Sequence, residues 1–236
     1  KAPGRIAIRE KKYGIWRTLT WQEFYDQINR FASGLNQLGM KAGDSLAVVG
    51  DNAPEWVIAE LAAMRLGGSC IGIYPDMLIE EVVYLINSSS SRIVVIKDQE
   101  QADKIIEVWD RIKDSVVKVV VWDSRGMSHY FGRYPFLVHF EDVLKVGESE
   151  AGKRVVETIL IHPGLTVLML PTSGTTGMPK LVMITHENLI YAARIWQKVH
   201  PYYDADEVFC LLPLPWMGEQ LTVARFLFTS VTYNFP

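Results

Sequence analysis

Cysteine is nearly missing from this 236-residue sequence, which carries only Cys70 and Cys210. The two stand far apart among Ile, Gly, Phe and Leu, with no CxxC spacing and no histidine at a metal-ligand interval. Neither a disulfide framework nor a common zinc site is indicated, and two reduced, buried thiols are expected. Long hydrophobic runs are lacking too. Val116–Trp122 and Leu165–Pro171 have the length of strands and fall far short of the ~20 residues that span a bilayer, so no transmembrane helix is expected. No sign of charge dominates: 24 basic side chains face 27 acidic ones without a long block of either, which argues against a nucleic-acid partner. Internal repeats and low-complexity tracts are absent. What is there is 49% hydrophobic and 11% aromatic residues, ample for a packed core. The chain starts at Lys1 and stops on the apolar run Val231–Pro236, and it reads as an internal piece of a longer protein.

Ile6–Glu10 and Trp16–Leu19 flank Lys11–Gly14 as the arms of a hairpin. A helix follows, with Thr20 and Glu23 as a capping box, apolar residues from Trp21 to Leu38 recurring at three and four, and Gly39 as the stop. From Gly43 onward short apolar runs alternate with helical patterns. Strands are expected at Ser45–Val49, Ser69–Tyr74, Arg92–Ile96 and Val116–Trp122, and helices at Pro54–Leu66, Ile79–Ile86 and Gln101–Ile112. Asp51 and Asn52 read as caps of the helix that begins at Pro54. Gly126–Lys153 has no clear period and reads as a long surface excursion. Pattern resumes with strands at Leu165–Leu170 and Leu181–Ile184, a helix at Glu187–Val199 capped by Thr185, a strand at Val208–Leu212, a helix at Gln220–Phe228 and a last strand at Val231–Phe235. Such alternation predicts an α/β fold of parallel sheets with flanking helices.

The chemistry is concentrated in Thr172-Ser173-Gly174-Thr175-Thr176-Gly177-Met178-Pro179-Lys180, fed directly by the apolar strand before it. Gly174 and Gly177 let the backbone approach a ligand, the four hydroxyl residues offer O–H donors, and Lys180 adds a mobile positive charge. Successive backbone N–H groups in such a turn form an anion concavity, so the composition suits a polyphosphate. A Walker loop is excluded because the lysine is the third residue after Gly177 and is followed by Leu181. No G-x-G-x-x-G follows any expected strand, which removes the dinucleotide and kinase readings. A polar surface turn is the bland alternative.

The string Thr172–Lys180, extended through Val182-Met183-Ile184-Thr185-His186, resembles the AMP-binding motif of the adenylate-forming superfamily of acyl-CoA synthetases, luciferases and nonribosomal peptide adenylation domains. The family pattern has glycine after the lysine, where Leu181 stands here. The flanks are similar as well: Trp16–Trp21, Gly43-Asp44, Asn52–Trp56, Gly67-Gly68, Gly72–Pro75 and Leu212–Pro215. Within the superfamily, Tyr13–Trp16 and the Leu-Pro-Leu-Pro-Trp segment look most like bacterial long-chain fatty acyl-CoA synthetases. The resemblance implies ATP and Mg2+ as cofactors, coenzyme A as co-substrate, and attack of a fatty acid carboxylate on the α-phosphate. It assigns Thr172, Ser173, Gly174, Thr175, Thr176, Gly177 and Lys180 to the β- and γ-phosphates, with Thr175 or Thr176 helping to place magnesium. Lys180 is the expected catalytic residue, by charge stabilisation. Trp216 occupies a position beside the acyl pocket, although a lone tryptophan is as readily core.

His186, with Glu187 beside it, reads at least as readily as a capping or structural residue as a chemical one, and Glu219 and Gln220 read as a helix start. The resemblance further implies that residues 43–200 form one α/β subdomain carrying the phosphate loop. Residues 1–42 (a hairpin and helix) and 201–236 would belong to a second, incomplete subdomain, with ligand in the crevice between. The family's downstream adenine, ribose and lysine elements have no counterpart in these residues, so the isolated chain is expected to be inactive. A cytoplasmic parent enzyme follows, with peripheral membrane contact allowed and the oligomeric state open. Two other readings stand beside it: adenylation of an aryl or amino acid, and a truncated, non-catalytic binding module with an exposed sheet edge.

Overall fold

The chain opens with the expected hairpin, β1 (Ile6–Lys12) and β2 (Ile15–Thr20). The turn between them puts Tyr13 at φ 53° and Gly14 at φ 78°. The computed structural model describes residues 2–172 and 178–236, so the expected ligands Ser173, Gly174, Thr175, Thr176 and Gly177 lie outside the described residues. Thr20 caps α1 (Trp21–Gln37) with the predicted box: Glu23 N–H donates to Thr20 Oγ1 at 3.2 Å, and Thr20 N–H donates to Glu23 Oε2 at 2.7 Å.

Next come β3 (Ser45–Val49), α2 (Pro54–Arg65), β4 (Ser69–Ile73), α3 (Ile79–Ser88) and β5 (Ser91–Ile96). The single helix expected over Gln101–Ile112 is two pieces, α4 (Gln99–Glu107) and α5 (Trp109–Ile112), parted at Val108. β6 (Lys118–Val121) follows.

Residues 126–153 are not an excursion. They hold α6 (Ser128–Arg133), β7 (Leu137–His139), α7 (Phe140–Val146) and the start of α8 (Glu150–Thr158). Each element is too short for a period to register. The packing also runs through small residues: a Cβ on Gly34 of α1 would stand 2.2 Å from the Val143 carbonyl oxygen, so α7 lies directly on the α1 backbone. Phe31 and Phe140 stack beside that contact, with centroids 4.2 Å apart.

The remaining elements are β8 (Thr166–Thr172), β9 (Lys180–Thr185), α9 (His186–Val199), β10 (Glu207–Phe209), α10 (Met217–Phe228) and β11 (Thr232–Phe235). β10 stops at Phe209, short of the predicted Leu212, because the chain leaves the sheet for the proline-rich segment described below.

The strands form two sheets. One has the order β7-β6-β5-β3-β4-β8-β9, the other β10-β11-β1-β2. Neighbours in the larger sheet are parallel except for β8 and β9, whose connection is a hairpin rather than a helical crossover. Central strands β3 and β4 are buried along their whole length, with helices on both faces. Alternate side chains divide there. Ala47, Val49, Ile71 and Ile73 pack with α3, α4 and α5, whereas Leu46, Val48 and Cys70 join α1, α2 and the inner face of the smaller sheet through Ile8, Tyr233 and Phe235. α2 lies inside this layer and is buried on nearly every side. Both cysteines are free and buried, as expected.

Candidate functional site

β8 and β9 bring Thr172 and Lys180, the two ends of the Ser/Thr/Gly segment, together. Thr172 and Lys180 are register partners at the tip of the hairpin, and Thr172 Oγ1 donates to the Lys180 carbonyl at 3.2 Å. Both residues are exposed. Among the described residues no ion pair involves the Lys180 ammonium.

Below that tip lies a crevice of about 630 Å³. One wall is Leu170, Pro171, Thr172 and Pro179 of the hairpin; the other is Tyr74 and Met77 beyond β4 together with Pro215, Trp216 and Met217. Trp216, the N-cap of α10, is 52% exposed and is therefore a wall residue rather than core. The expected residues Thr172 and Trp216 thus line one space, and Lys180 is the strand partner of Thr172.

Gly72 makes the far wall possible. A Cβ there would stand 2.8 Å from Pro215 Cα and 3.0 Å from the Trp56 ring, so only glycine lets residues 212–216 lie directly on β4. The segment is then held by side chains. Asn52 Nδ2 donates to the Leu212 carbonyl at 2.8 Å, and Leu214 N–H donates to Asn52 Oδ1 at 2.9 Å. The expected capping role of Asn52 is therefore corrected: the N-cap of α2 is Ala53, with no side-chain hydrogen bond. Asp51 does not cap either, and pairs with Lys97 at 2.5 Å. Pro54 at the first helical position has no N–H to satisfy, which relaxes the need for a cap.

Glu219 and Gln220 are likewise more than a helix start. Both are 2% exposed. Glu219 accepts from Leu212 N–H at 3.0 Å and from the Tyr233 hydroxyl. Gln220 Nε2 donates to the Leu214 carbonyl and to Glu60 Oε2, each at 2.8 Å. Glu60 sits inside α2 and also accepts from Trp56 Nε1 at 3.4 Å. Burial pushes its carboxyl up to about 7, against the lowering effect of the Gln220 and Trp56 hydrogen bonds. A half-neutral acid at that depth is the cheaper state, since a full charge without a cation would cost more.

His186 follows the loop motif in sequence but faces elsewhere. It lines a separate, largely apolar cavity of about 410 Å³ with Leu189, Val223 and Leu227, and none of the crevice residues lines that cavity. Its Nε2 is buried and has no partner among the described residues, and burial holds its pKa below the ordinary histidine value. That favours the neutral ring and a structural role. Thr185 is the cap of α9 as expected, accepting from Asn188 N–H at 3.2 Å.

Thr172 at the end of β8 and Pro179 just before β9 thus face Tyr74 and Trp216 across one crevice of an α/β fold. Residues 1–236 match the family described as AMP-binding enzyme, and the chain belongs to it. It is 28% identical over 220 residues to Long-chain-fatty-acid--CoA ligase ACSBG2 of Rattus norvegicus, covering 91% of this chain and 32% of that protein. Among solved structures it superposes on ATP-bound MatB from Rhodopseudomonas palustris with a TM-score of 0.80 at 24% identity, over 99% of this chain and 42% of that one. It superposes on the anthranilate CoA ligase AuaEII, in complex with anthranoyl-AMP, with a TM-score of 0.85 at 18% identity, over 100% and 42%. The chain therefore spans about a third of the length of the curated relative and under half of the solved ones.

Proposed function

We propose that this chain is the loop-bearing part of an ATP-dependent ligase that joins a long-chain fatty acid to coenzyme A through an acyl-adenylate. One observation carries the reading: Thr172, which opens the Ser/Thr/Gly segment and pairs with Lys180, and the exposed Trp216 line a single crevice. A polyphosphate at the hairpin tip and a carboxylate beside Trp216 would meet there. The family and the fatty-acid ligase among the relatives support the choice of acid.

In this reading an oxygen of the carboxylate attacks the α-phosphorus, and the bond to pyrophosphate breaks. The thiol of coenzyme A then attacks the acyl carbon, and AMP leaves. Thr172, Ser173, Gly174, Thr175, Thr176 and Gly177 hold the β- and γ-phosphates. Lys180 stabilises the negative charge that builds on the departing pyrophosphate, a task of charge placement that needs no proton transfer. Magnesium would be held through the phosphates beside Thr175 or Thr176, where it neutralises their charge. Among the described residues no group of three or more His, Cys, Asp or Glu comes together. No helix of the described residues is long and apolar enough to cross a membrane. We further read residues 1–42 and 201–236 as one subdomain, because their strands share the smaller sheet, and residues 43–200 as the other.

The test is ATP–pyrophosphate exchange by the full-length protein with fatty, aryl and amino acids offered separately. Exchange driven by a C16 or C18 acid is the expected result; exchange driven by the aryl or amino acids alone would replace the substrate, and none with any carboxylate would end the enzyme reading.

A further inference from the structure

We propose that Asn52 is a positioning residue for the carboxylate substrate, tying the wall that carries Trp216 to the end of β3. The inference rests on the acid-activating reading above and adds to it a residue outside the phosphate loop.

The segment from Leu211 to Trp216 is poorly anchored by burial. Leu211 is 75% exposed, Leu212 39% and Trp216 52%; only Leu214 among the leucines is fully buried. It is not part of a sheet ladder, and Pro213 and Pro215 bring no N–H. Trp216 N–H donates to the Pro213 carbonyl at 2.9 Å, and the N–H and C=O of Leu212 and of Leu214 are all met by side chains. Glu219 accepts from the Leu212 N–H and Gln220 donates to the Leu214 carbonyl, both from the first turn of α10, which is itself tied to Tyr233 and Glu60. Asn52 takes the other two, the Leu212 carbonyl at 2.8 Å and the Leu214 N–H at 2.9 Å, from a strand end of the larger sheet. It also reaches the Cys210 carbonyl at 3.4 Å.

A carboxamide suits this because one short, flat group donates and accepts at neighbouring atoms. Aspartate could still accept from Leu214 but could not donate to Leu212, and alanine could do neither. Asn52 is not among the residues that line the crevice below the loop, whereas Trp216 and Pro215 are. Asn52 lines an adjoining crevice of about 640 Å³ with Tyr74 and Pro215, and it acts on the Trp216 crevice through the segment it holds. Losing it would let residues 211–216 move off β4, enlarging the acid side of the crevice while the β8–β9 hairpin stays as it is.

Asn52→Ala and Asn52→Asp in the full-length enzyme test this by ATP–pyrophosphate exchange and by hydrogen exchange of the 210–217 backbone. The expected result for Asn52→Ala is a KM for the fatty acid raised about tenfold or more with the KM for ATP within about twofold, and Asn52→Asp falling between it and the parent. The 210–217 amides should exchange about tenfold faster while those of α2 keep their protection. An unchanged acid KM, acid and ATP constants rising together, or unaltered exchange of 210–217 would each overturn the proposal. Should Asn52→Ala not fold, Asn52→Asp is judged by the same criteria. If the parent enzyme shows no exchange with any carboxylate, the acid-activating reading falls and takes the substrate half of this inference with it. The hydrogen-exchange result then decides the tie on its own.

Discussion

The two walls of the crevice are built in opposite ways. The β8–β9 hairpin is a contiguous piece of chain, closed by neighbouring strands and by one side-chain bond from Thr172 to Lys180, with its charged tip in solvent. The wall that bears Trp216 is irregular backbone fastened by Asn52, Glu219 and Gln220, and it lies on Gly72 of a strand far away in sequence. A site that must grip a polyphosphate can be local, because backbone N–H groups and hydroxyls of one loop suffice. A site that must shape a pocket for a carboxylate needs elements brought from several places, and a buried polar network is what sets their relation.

The comparison can be broken at either wall. The largest effect belongs to Lys180→Ala in the full-length enzyme, which should slow adenylation about 10²- to 10³-fold, as loss of one charge-stabilising donor does. Its melting temperature should stay within about 2 °C, since exposed side chains without partners add little stability. Single-turnover acyl-AMP formation and thermal melts check the two halves.

The pH dependence of stability comes next. Glu60 has a pKa of about 7 in the folded state, above its unfolded value, so the folded protein holds the proton longer. Its contribution to stability is complete below the unfolded pKa and fades as pH rises through about 7, by at most ~3 kcal/mol. Glu60→Gln keeps an acceptor for Gln220 and Trp56 and removes the titration, so denaturant midpoints should vary less between pH 5 and 8 than in the parent. Gly72→Ala should cost about 1–3 kcal/mol and raise the KM for the acid, because the new methyl must push Pro215 and the residues around it off β4. The smallest effect is expected far from both walls: Thr20→Ala removes the cap of α1 and should cost about 1 kcal/mol with kinetics unchanged.

How much of this the sequence shows follows the same division. The capping box at Thr20, the helix opened by Pro54 and the central strands were legible because each depends on residues close together in the chain. The α/β class was legible for the same reason. The antiparallel turn from β8 to β9 was not separable from a crossover by strand pattern alone. Asn52 reads as a cap from its place before Pro54, and only its partners 160 and 162 residues away reveal its role. Glu219 and Gln220 read as a polar helix start, since no local pattern says that a polar pair will be buried against Tyr233 and Glu60. Residues 126–153 hid a strand and three helices because short elements packed through Gly34 leave no hydrophobic period. A hint of the second wall was present in Gly72, whose place inside an apolar strand asks for close backbone approach.

The most direct test of the account sets Trp216→Ala beside Lys180→Ala in steady-state kinetics of the full-length enzyme, varying the fatty acid and ATP separately. Two walls with separate duties predict that Trp216→Ala raises the KM for the acid about tenfold with the ATP constant unchanged, and that Lys180→Ala lowers kcat with little change in the acid KM. If Trp216→Ala leaves the acid KM where it was, or if both variants shift the same constants together, the division of labour across the crevice is wrong.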